Sequence, residues 1–437
     1  MASTVDGKRD GVAGLVDAGV VDVTGVADVT GVADVVSTVE DWATDFDHTD
    51  PGWVTNPFPI WDDLRTRCPV AHSNRYNGVY LPTRHEDIAS IAYDTEHFTS
   101  KSVIVNNSVV HDEPPVGGAP PITADPPFHQ HARRALLPPF APKAVGQYEQ
   151  PTRELCNRLL DRLEAEVAAG RNIVDAATDY AQHIPPAVIA KMLGLPMEDG
   201  DLFRAFIHDV IENVDATPEA RTAGFERLDA YIGKHVQEHV EQPRDDLITY
   251  LLNTEILGTR LQPADVFGPI ILLMIAGIDT TWSAIGASLF HLAGDADDRR
   301  RLVAEPQLMP TAIEELLRAY APVTMARIVK EPVEIGGVTM EKDHWVLLPF
   351  PAANRDPEVF ERADEVVIDR EVNRHVAFGL GIHRCLGSNL ARMELRIAIE
   401  CWLKRFPEFE LVDAAAVRWS AGQVRGPRSL PIRILSA

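Results

Sequence analysis

Cysteine is scarce in this chain, which has only four cysteines among its 437 residues. Cys68, Cys156, Cys385 and Cys401 are widely separated, and no Cys-x-x-Cys pair occurs. A structural zinc site needs further Cys or His ligands at short spacing, and a disulfide scaffold needs many cysteines in a short chain. The sequence therefore excludes both classes and is typical of a protein from a reducing compartment.

Positive charge and long apolar segments are also scarce. The formal net charge is −24, so the basic footprint that non-specific nucleic-acid binding requires is missing. The longest strongly apolar run, residues 270–278, is too short to cross a bilayer. Near the start of the chain, Asp17, Asp22 and Asp28 interrupt the apolar residues, which argues against a signal peptide or anchor helix. We therefore expect a soluble, cytoplasmic protein that binds neither nucleic acid nor membrane.

Residues 1–40 differ in composition from the rest of the chain. The hexapeptide Asp-Val-Thr-Gly-Val-Ala fills residues 22–27 and again 28–33, and no basic residue lies between Arg9 and Arg65. Two copies are too few for a stacked repeat, which needs at least about three. We predict an acidic, low-complexity, mostly disordered tail at residues 1–40. No linker interrupts the remainder, so we predict one domain at residues 41–437.

Helical periodicity dominates that domain. Apolar residues recur on one helical face over residues 155–167. A longer helix is predicted from Pro263, a favourable first residue, to a stop at Gly294. Pro269 inside it predicts a kink or a later start. Strand-like segments are few and short, as at residues 333–335 and 344–348. The predicted fold class is mainly α with small β-sheets.

The most informative segment surrounds Cys385. Residues 378–387 are Phe-Gly-Leu-Gly-Ile-His-Arg-Cys-Leu-Gly. Glycines allow backbone turns that other residues adopt only at a cost, and the helical pattern that follows offers N–H groups that favour an anion. The glycines do not spell Gly-x-Gly-x-x-Gly, so a dinucleotide-binding loop is excluded. The residues alone leave two interpretations, a buried structural cysteine or a thiolate that binds a metal closely.

This segment resembles the haem-binding loop of the cytochrome P450 family, Phe-Gly-x-Gly-x-His-x-Cys-x-Gly, at every fixed position. The resemblance implies the cytochrome P450 fold, a single large domain with a long central helix over the haem. It also implies haem b as cofactor and Cys385 as the thiolate ligand of the iron, a ligand that favours O–O cleavage. Phe378 and Ala276 would contact the cofactor.

Residues 276–281, Ala-Gly-Ile-Asp-Thr-Thr, resemble the segment of the family's long helix that serves O2 activation. Small residues let a helix approach a flat cofactor, and a Thr hydroxyl can open the helical ladder locally. O2 activation consumes two protons, and the family assigns their delivery to the residues that match Asp279 and Thr280. Without the resemblance, the same residues form only a polar stripe on a helix.

Glu315 and Arg318 resemble the family's Glu-x-x-Arg pair. They are three residues apart on one helical face, a spacing at which most pairs are solvated surface pairs. The resemblance adds Arg370, upstream of the Cys385 loop, and implies that the three residues are buried together and hold that loop. Their implied role is structural.

Four residues match family positions that bind the haem propionates. Arginine suits bidentate carboxylate binding. These residues are His129, Arg133, Arg327 and His383. The neighbouring Phe128 and His131 depart from the family pattern, and surface solvation is the alternative for each of the four.

The resemblance also locates a substrate cavity. The residues expected to face it are Leu272, Ile275, Ala276, Val323 and Met325. Residues 103–110 and the stretch around Val424 should close it. Because these residues are mostly apolar and include no charged anchor, we expect a small hydrophobic substrate.

The family resemblance further implies a monomeric, O2-dependent monooxygenase. No flavin or iron–sulfur segment follows the Cys385 loop, so we expect electrons from a separate ferredoxin and ferredoxin reductase. Basic residues flanking the thiolate side would form a patch for an acidic ferredoxin. They are Arg134, Arg384, Arg392 and Arg396. Two alternatives stay open, a peroxide-driven peroxygenase, which the Asp279–Thr280 pair disfavours, and a non-catalytic haem-binding sensor.

Overall fold

The computed structural model describes residues 37–105, 119–207 and 218–436. From Ser37 onward these residues pack as one compact unit. The predicted tail at residues 1–40 lies outside the described residues except for its last four. The predicted cavity loop at residues 103–110 is described only as far as Val105.

Helices make up most of the described part of the chain. They are α1 (Pro51–Thr55), α2 (Phe58–Arg67), α3 (His85–Tyr93), α4 (Phe128–Leu136), α5 (Pro142–Val145), α6 (Glu149–Ala168), α7 (Ile184–Leu193), α8 (Gly200–Ile207), α9 (Pro218–Glu241), α10 (Leu247–Leu252), α11 (Pro263–Gly294), α12 (Ala296–Ala304), α13 (Met309–Ala319), α14 (Phe350–Ala353) and α15 (Ser388–Arg405). The predicted fold class, mainly α with small β-sheets, is confirmed.

The strands are short and form small sheets. They are β1 (Val70–Ser73), β2 (Val79–Pro82), β3 (Phe98–Thr99), β4 (Ile173–Asp175), β5 (Glu255–Ile256), β6 (Thr259–Arg260), β7 (Thr324–Val329), β8 (Val333–Ile335), β9 (Val338–Met340), β10 (Trp345–Pro349), β11 (Glu408–Leu411), β12 (Arg418–Trp419), β13 (Pro427–Ser429) and β14 (Pro431–Ser436).

One sheet has the order β1-β2-β10-β7-β3, in which only β2 and β10 run parallel. A second sheet has the order β11-β14-β4, and three antiparallel pairs join β12 to β13, β5 to β6 and β8 to β9. The predicted strand at residues 333–335 is β8, and the one at residues 344–348 is β10, displaced by one residue.

Helix α11 is the central helix of the fold, as predicted. It begins at Pro263, where the Gln262 N–H donates to the Asp265 carboxylate at 2.8 Å, and it ends at Gly294. Pro269 lies inside α11, so the predicted late start is wrong. Proline at this position costs α11 one backbone hydrogen bond, the one that would reach the Asp265 carbonyl, and the helix continues past it. Helix α15 packs against both α6 and α11, which places the segment after Cys385 beside the central helix.

Helix α11 is also the one helix among the described residues that is long and apolar enough to cross a bilayer. Of its most apolar window, 67% is buried inside the protein. A helix that is hydrophobic on all sides is expected at the centre of a large core. The position of α11 therefore accounts for its composition.

Candidate active site

A cavity of about 240 Å³ lies between helix α11 and the segment that contains Cys385. The α11 side contributes Leu272, Leu273, Ala276, Gly277, Thr280, Thr281 and Ala284. The facing side contributes Ala377, Phe378, Gly379, Leu380, His383, Cys385, Leu386 and Gly387. The predicted metal ligand, the Cys385 thiol, and one predicted catalytic group, the Thr280 hydroxyl, therefore belong to opposite walls of one cavity.

The backbone around Cys385 explains why the loop needs glycine. Gly379 and Gly381 have φ values of +72° and +65°, in the left-handed region that other residues rarely adopt. A side chain at Gly381 would also collide with the carbonyl oxygen of Ala92 in α3. The Cys385 N–H donates to the Phe378 carbonyl at 2.7 Å and closes the loop. The thiol is thereby held at one fixed place on the cavity wall.

The Cys385 thiol lies deep inside the protein, although it opens onto the cavity. Burial raises its pKa, and this effect outweighs the Gly387 N–H and the guanidinium groups of Arg133 and Arg384, which act in the opposite direction. The thiolate, not the thiol, is the metal ligand, so binding of a metal cation here would release the thiol proton.

Positive groups gather beside the Cys385 loop. The Arg327 side chain is 5% exposed, and it forms no ion pair with a carboxylate in the part of the chain that the structure describes. Burial lowers the pKa of Arg327 to about 10. His383 lies nearby, and burial together with Arg327, His129 and Arg133 lowers its pKa to about 2. An anion placed here would offset an unfavourable concentration of buried positive charge.

His129 lies on the same wall of the cavity as His383. Its ring lies 4.5 Å from the His383 ring, centroid to centroid, and is 1% exposed. Neither ring nitrogen forms a well-aligned hydrogen bond to a described residue, although one lies near the Ile382 backbone. His383 hydrogen-bonds the Ser100 hydroxyl at 2.9 Å, and Arg133 donates to the Arg384 carbonyl at 2.5 Å. The wall therefore offers free N–H groups and uncompensated charge to a carboxylate-bearing group in the cavity.

On the opposite wall, the two α11 residues predicted to be catalytic point in different directions. The Thr280 hydroxyl lies on the cavity and donates to the Ala276 carbonyl at 2.6 Å. Asp279 is 3% exposed and does not line the cavity. Its carboxylate forms an ion pair with Arg428 of β13 at 2.5 Å. Adjacent helical positions are separated by about 100°, and for Asp279 and Thr280 this rotation places one side chain behind the helix and the other on the cavity.

Arg428 belongs to this site, but no motif in the sequence points to it. Its guanidinium also donates to the Ser283 hydroxyl at 3.0 Å and lies over the Trp282 ring at 4.4 Å. The strand that carries it comes very close to α11, because a side chain at Gly426 would lie only 2.5 Å from the Ser283 Cα. The C-terminal strands therefore supply a cation behind the central helix.

Comparison with known proteins identifies the arrangement. The sequence model of the family described as Cytochrome P450 matches residues 200–417. The mycinamicin IV hydroxylase/epoxidase of Micromonospora griseorubida is 31% identical over 380 residues, which cover 85% of this chain and 94% of that protein. The solved structure of the cytochrome P450 PksS from the bacillaene polyketide synthase of Bacillus subtilis 168 is 28% identical, with a TM-score of 0.81 over 90% of this chain and 100% of that one. This chain belongs to the cytochrome P450 family.

Membership of the family fixes the cofactor and the reaction class. This P450 binds haem b through an axial cysteine thiolate, and it is a monooxygenase that transfers one oxygen atom from O2 to an organic substrate. The residues present fit haem. Haem b carries two propionates. Arg133 and Arg327 would neutralise them, and the imidazoles of His129 and His383 would hydrogen-bond them.

The predicted Glu315–Arg318–Arg370 group lies together in this P450 and is fully buried at its centre. Arg318 donates twice to the Glu315 carboxylate, each bond at 2.8 Å, and Arg370 donates to it at 2.9 Å. Arg318 also donates to the carbonyl of Asn354, whose side chain accepts from the Val376 N–H at 2.7 Å. The group is thus linked through Asn354 to the segment leading into the Cys385 loop.

A second, half-buried ion pair beside this group was not predicted. Arg392 donates twice to the Glu314 carboxylate, at 2.6 and 2.7 Å, and His375 contacts it at 3.0 Å. Burial acts to raise the pKa of Glu314, but these hydrogen bonds outweigh burial and lower the pKa to about 2. The Arg392 guanidinium also lies 4.4 Å from the Phe378 ring. Helix α15 is therefore tied to α13 and to the Cys385 loop at the same point.

Three predictions need correction. Ile275 does not line the cavity, whereas Leu272, Ala276, Val323 and Met325 do. Residues 272, 273, 276, 277 and 280 share one helical face, and Ile275 lies on the side of that face and packs against the main core.

The predicted basic patch is the second correction. Arg392 is bound by Glu314, and Arg396 pairs with Glu149 at 2.9 Å and Glu400 at 3.4 Å. Only Arg134 and Arg384 of the four remain exposed without an ion pair to a described carboxylate.

The sequence analysis did not predict several residues that line the cavity. They are Pro121, Ile122, Leu136, Phe140, Leu247 and Leu251. They come from α4, α10 and connecting segments and share no motif. The third correction is Val424, which does not line the cavity; it forms a β-bridge with Val323, which does.

Proposed function

We propose that this P450 oxygenates a neutral, largely apolar substrate in the cavity between Cys385 and Thr280. The observation that carries the proposal is the distribution of charge around that cavity. The two arginines that line the cavity, Arg133 and Arg327, lie with His383 near the Cys385 loop, where all three would bind the haem propionates. The remaining lining residues are mostly apolar, so a substrate carboxylate would find no partner there.

In this proposal each group of residues has a separate role. Cys385 holds the iron, and the bound haem supplies the iron chemistry that activates O2. His129, Arg133, Arg327 and His383 bind the propionates, while Phe378 and Ala276 contact the porphyrin. Glu315, Arg318 and Arg370 hold the Cys385 loop.

Protons reach the cavity through the two α11 residues. The Thr280 hydroxyl is already on the cavity wall, and Asp279 lies one residue away, behind the helix, next to Arg428. We infer that Asp279 passes protons from the rear of α11 to Thr280, which holds one at the cavity. A positioned acid of this kind contributes roughly 10²–10⁴-fold to a proton-transfer step.

The substrate class is supported by relatives of this chain. One is named a mycinamicin IV hydroxylase/epoxidase, another a polyketide biosynthesis cytochrome P450, and a third was solved with corticosterone. We propose a neutral molecule of this general kind, such as a polyketide lactone or a steroid.

An absorbance titration of the haem-loaded protein tests the proposal. A neutral lactone and its ring-opened carboxylate should be compared, since the two have nearly the same size. We expect the lactone to shift the haem spectrum and bind about tenfold more tightly or better, because the carboxylate must be buried without a partner. Equal binding of the carboxylate would refute the neutral-substrate proposal.

The Cys385→Ser variant tests the ligand assignment, with Cys68→Ser as the matched control. The first should lose the thiolate signature of the reduced, carbon monoxide-bound haem, and the second should keep it. Retention of that signature in Cys385→Ser would refute the assignment.

We also propose that a ferredoxin and its reductase supply electrons to a monomeric enzyme in the cytoplasm, with residues 41–437 forming the P450 domain. Arg134 and Arg384 offer positive charge near the cysteine loop. An Arg384→Glu change should slow ferredoxin-driven reduction and weaken its dependence on salt. Unchanged kinetics would remove Arg384 from the contact.

A further inference from the structure

Two of the cysteines that haem binding does not use lie against each other. Cys156 is in the middle of α6 and is fully buried, and Cys401 in α15 is 4% exposed. The two side chains interact with each other across the packed helices α6 and α15. Both are free thiols. A disulfide requires sulfur atoms about 2 Å apart, so the two side chains must move toward each other for the bond to form.

The surroundings make the two thiols unequal. Arg153, one turn before Cys156, places its guanidinium 3.7 Å from the Cys401 sulfur and also pairs with Glu400 at 2.7 Å. The hydrogen bond from Cys156 and the charge of Arg153 lower the pKa of Cys401 to about 7 despite burial, and the pKa of Cys156 is raised. A thiolate beside a cation is the reactive form of cysteine.

The structure also shows how close Cys401 lies to the surface and which ionisable groups surround the two thiols. The Arg153 and Glu400 side chains are 36% and 29% exposed, so Cys401 lies directly beneath a surface ion pair, while Cys156 lies deeper. Glu394, two turns before Cys401 on α15, is fully buried, and burial raises its pKa, which favours the neutral acid over a charge beside the thiol pair. The Tyr180 phenol, which borders Cys156, donates to the Ala398 carbonyl at 2.8 Å.

We propose that Cys401 and Cys156 form a peroxide-oxidised thiol pair, in which Cys401 reacts first and Cys156 resolves it to a disulfide between α6 and α15. In the first step the Cys401 thiolate attacks hydrogen peroxide, an S–O bond forms, the O–O bond breaks, and the released hydroxide takes a proton to become water. In the second step the Cys156 sulfur attacks the sulfenic acid, an S–S bond forms, the S–O bond breaks, and hydroxide leaves with the Cys156 proton as water.

The balance is two thiols and one hydrogen peroxide to one disulfide and two molecules of water. A monooxygenase releases peroxide when a turnover takes up O2 and two electrons without transferring oxygen to substrate. The proposal rests on the proposed function only for this source of peroxide. Added peroxide tests the thiol pair independently of any substrate or electron donor.

The experiment exposes the haem-loaded enzyme to increasing equivalents of hydrogen peroxide, alkylates the remaining thiols after unfolding, and identifies cross-linked peptides by mass spectrometry. Cys68 is the internal control, because it is more exposed and its thiol donates only weakly, to the Val70 carbonyl at 3.6 Å. We expect the Cys156–Cys401 cross-link to form before Cys68 is oxidised and before the haem absorbance bleaches. The buried Cys156–Cys401 pair would then react before the more exposed Cys68.

Three variants separate the roles. Cys401→Ser should abolish oxidation of Cys156, and Cys156→Ser should leave Cys401 as a sulfenic acid that a dione reagent traps. Arg153→Met should slow the cross-link several-fold without changing haem content. Oxidation of Cys68 first, a cross-link only after haem loss, or equal rates in Arg153→Met and the parent enzyme would each overturn the proposal.

Discussion

The two walls of the active-site cavity are built on different principles. The Cys385 wall is held by buried ion pairs, by glycines with positive φ and by hydrogen bonds to the backbone. The Thr280 wall is a helical face of apolar and small residues, with its ion pair, Asp279–Arg428, placed behind the helix. The cofactor side thus has one permitted geometry, whereas the substrate side can change its side chains without loss of the fold.

The largest effect should follow from breaking the ion-pair group on the cysteine side. Glu315→Gln leaves Arg318 and Arg370 buried without a counter-charge, and removal of one partner of a buried pair typically costs about 3–5 kcal/mol. We expect lower resistance to denaturant and partial loss of haem. Glu331→Gln, at a surface pair with Lys342, is the control and should be nearly neutral. If Glu315→Gln leaves the resistance to denaturant and the haem content unchanged, the cysteine wall is held by packing alone.

Asp279→Asn should lower activity while leaving the fold intact. If proton delivery limits turnover, O2-driven product formation falls roughly 10²-fold, because an amide cannot pass the proton. Peroxide-driven turnover, measured on the same preparation, should change little, since its oxygen arrives already reduced.

The matched control for Asp279→Asn is Arg428→Lys. It keeps the positive charge behind α11 and should retain most of the O2-driven rate. Equal losses in the O2-driven and peroxide-driven assays of Asp279→Asn would mean that the substitution disturbs the site rather than the proton supply.

A smaller effect should separate two neighbouring residues of α11. Leu272→Ala enlarges the cavity and should change substrate affinity or product distribution. Ile275→Ala should instead lower stability by about 2–5 kcal/mol at most, because Ile275 packs partly against the core. Product analysis and thermal unfolding of both variants test this contrast. A change of product distribution in Ile275→Ala alone would place the cavity on the other face of the helix.

The smallest effect concerns acid stability. The pKa of Glu314 is lowered to about 2 in the folded protein from an ordinary value of 4.5, so its contribution is complete above about pH 4.5 and is lost as pH falls toward 2. Thermal unfolding of the parent and of Glu314→Gln should therefore differ most at neutral pH and converge in acid. A difference that stays constant with pH would show that Glu314 contributes no charge-dependent stability.

Much of this fold was predictable from residues close in sequence. The Cys385 loop carries its own glycines, and α11 carries its own proline start and glycine stop, so local rules suffice. Ile275 was misplaced because a motif gives the order of residues but not their angle around a helix axis. Arg428 lies 149 residues from Asp279, and Arg392 lies 78 from Glu314, so nothing local connects either pair. Charge patterns likewise could not reveal that acidic partners occupy Arg392 and Arg396.

The close approach of Gly426 to Ser283 has a consequence for the mutational tolerance of this enzyme. Residue 426 contacts neither the cavity nor the cysteine loop, so a library designed around the active site would leave it free to vary. Yet any side chain there must push the C-terminal strands away from α11 and take Arg428 with them. In a random library selected for oxygenation, position 426 should therefore be as depleted of substitutions as a residue of the active site.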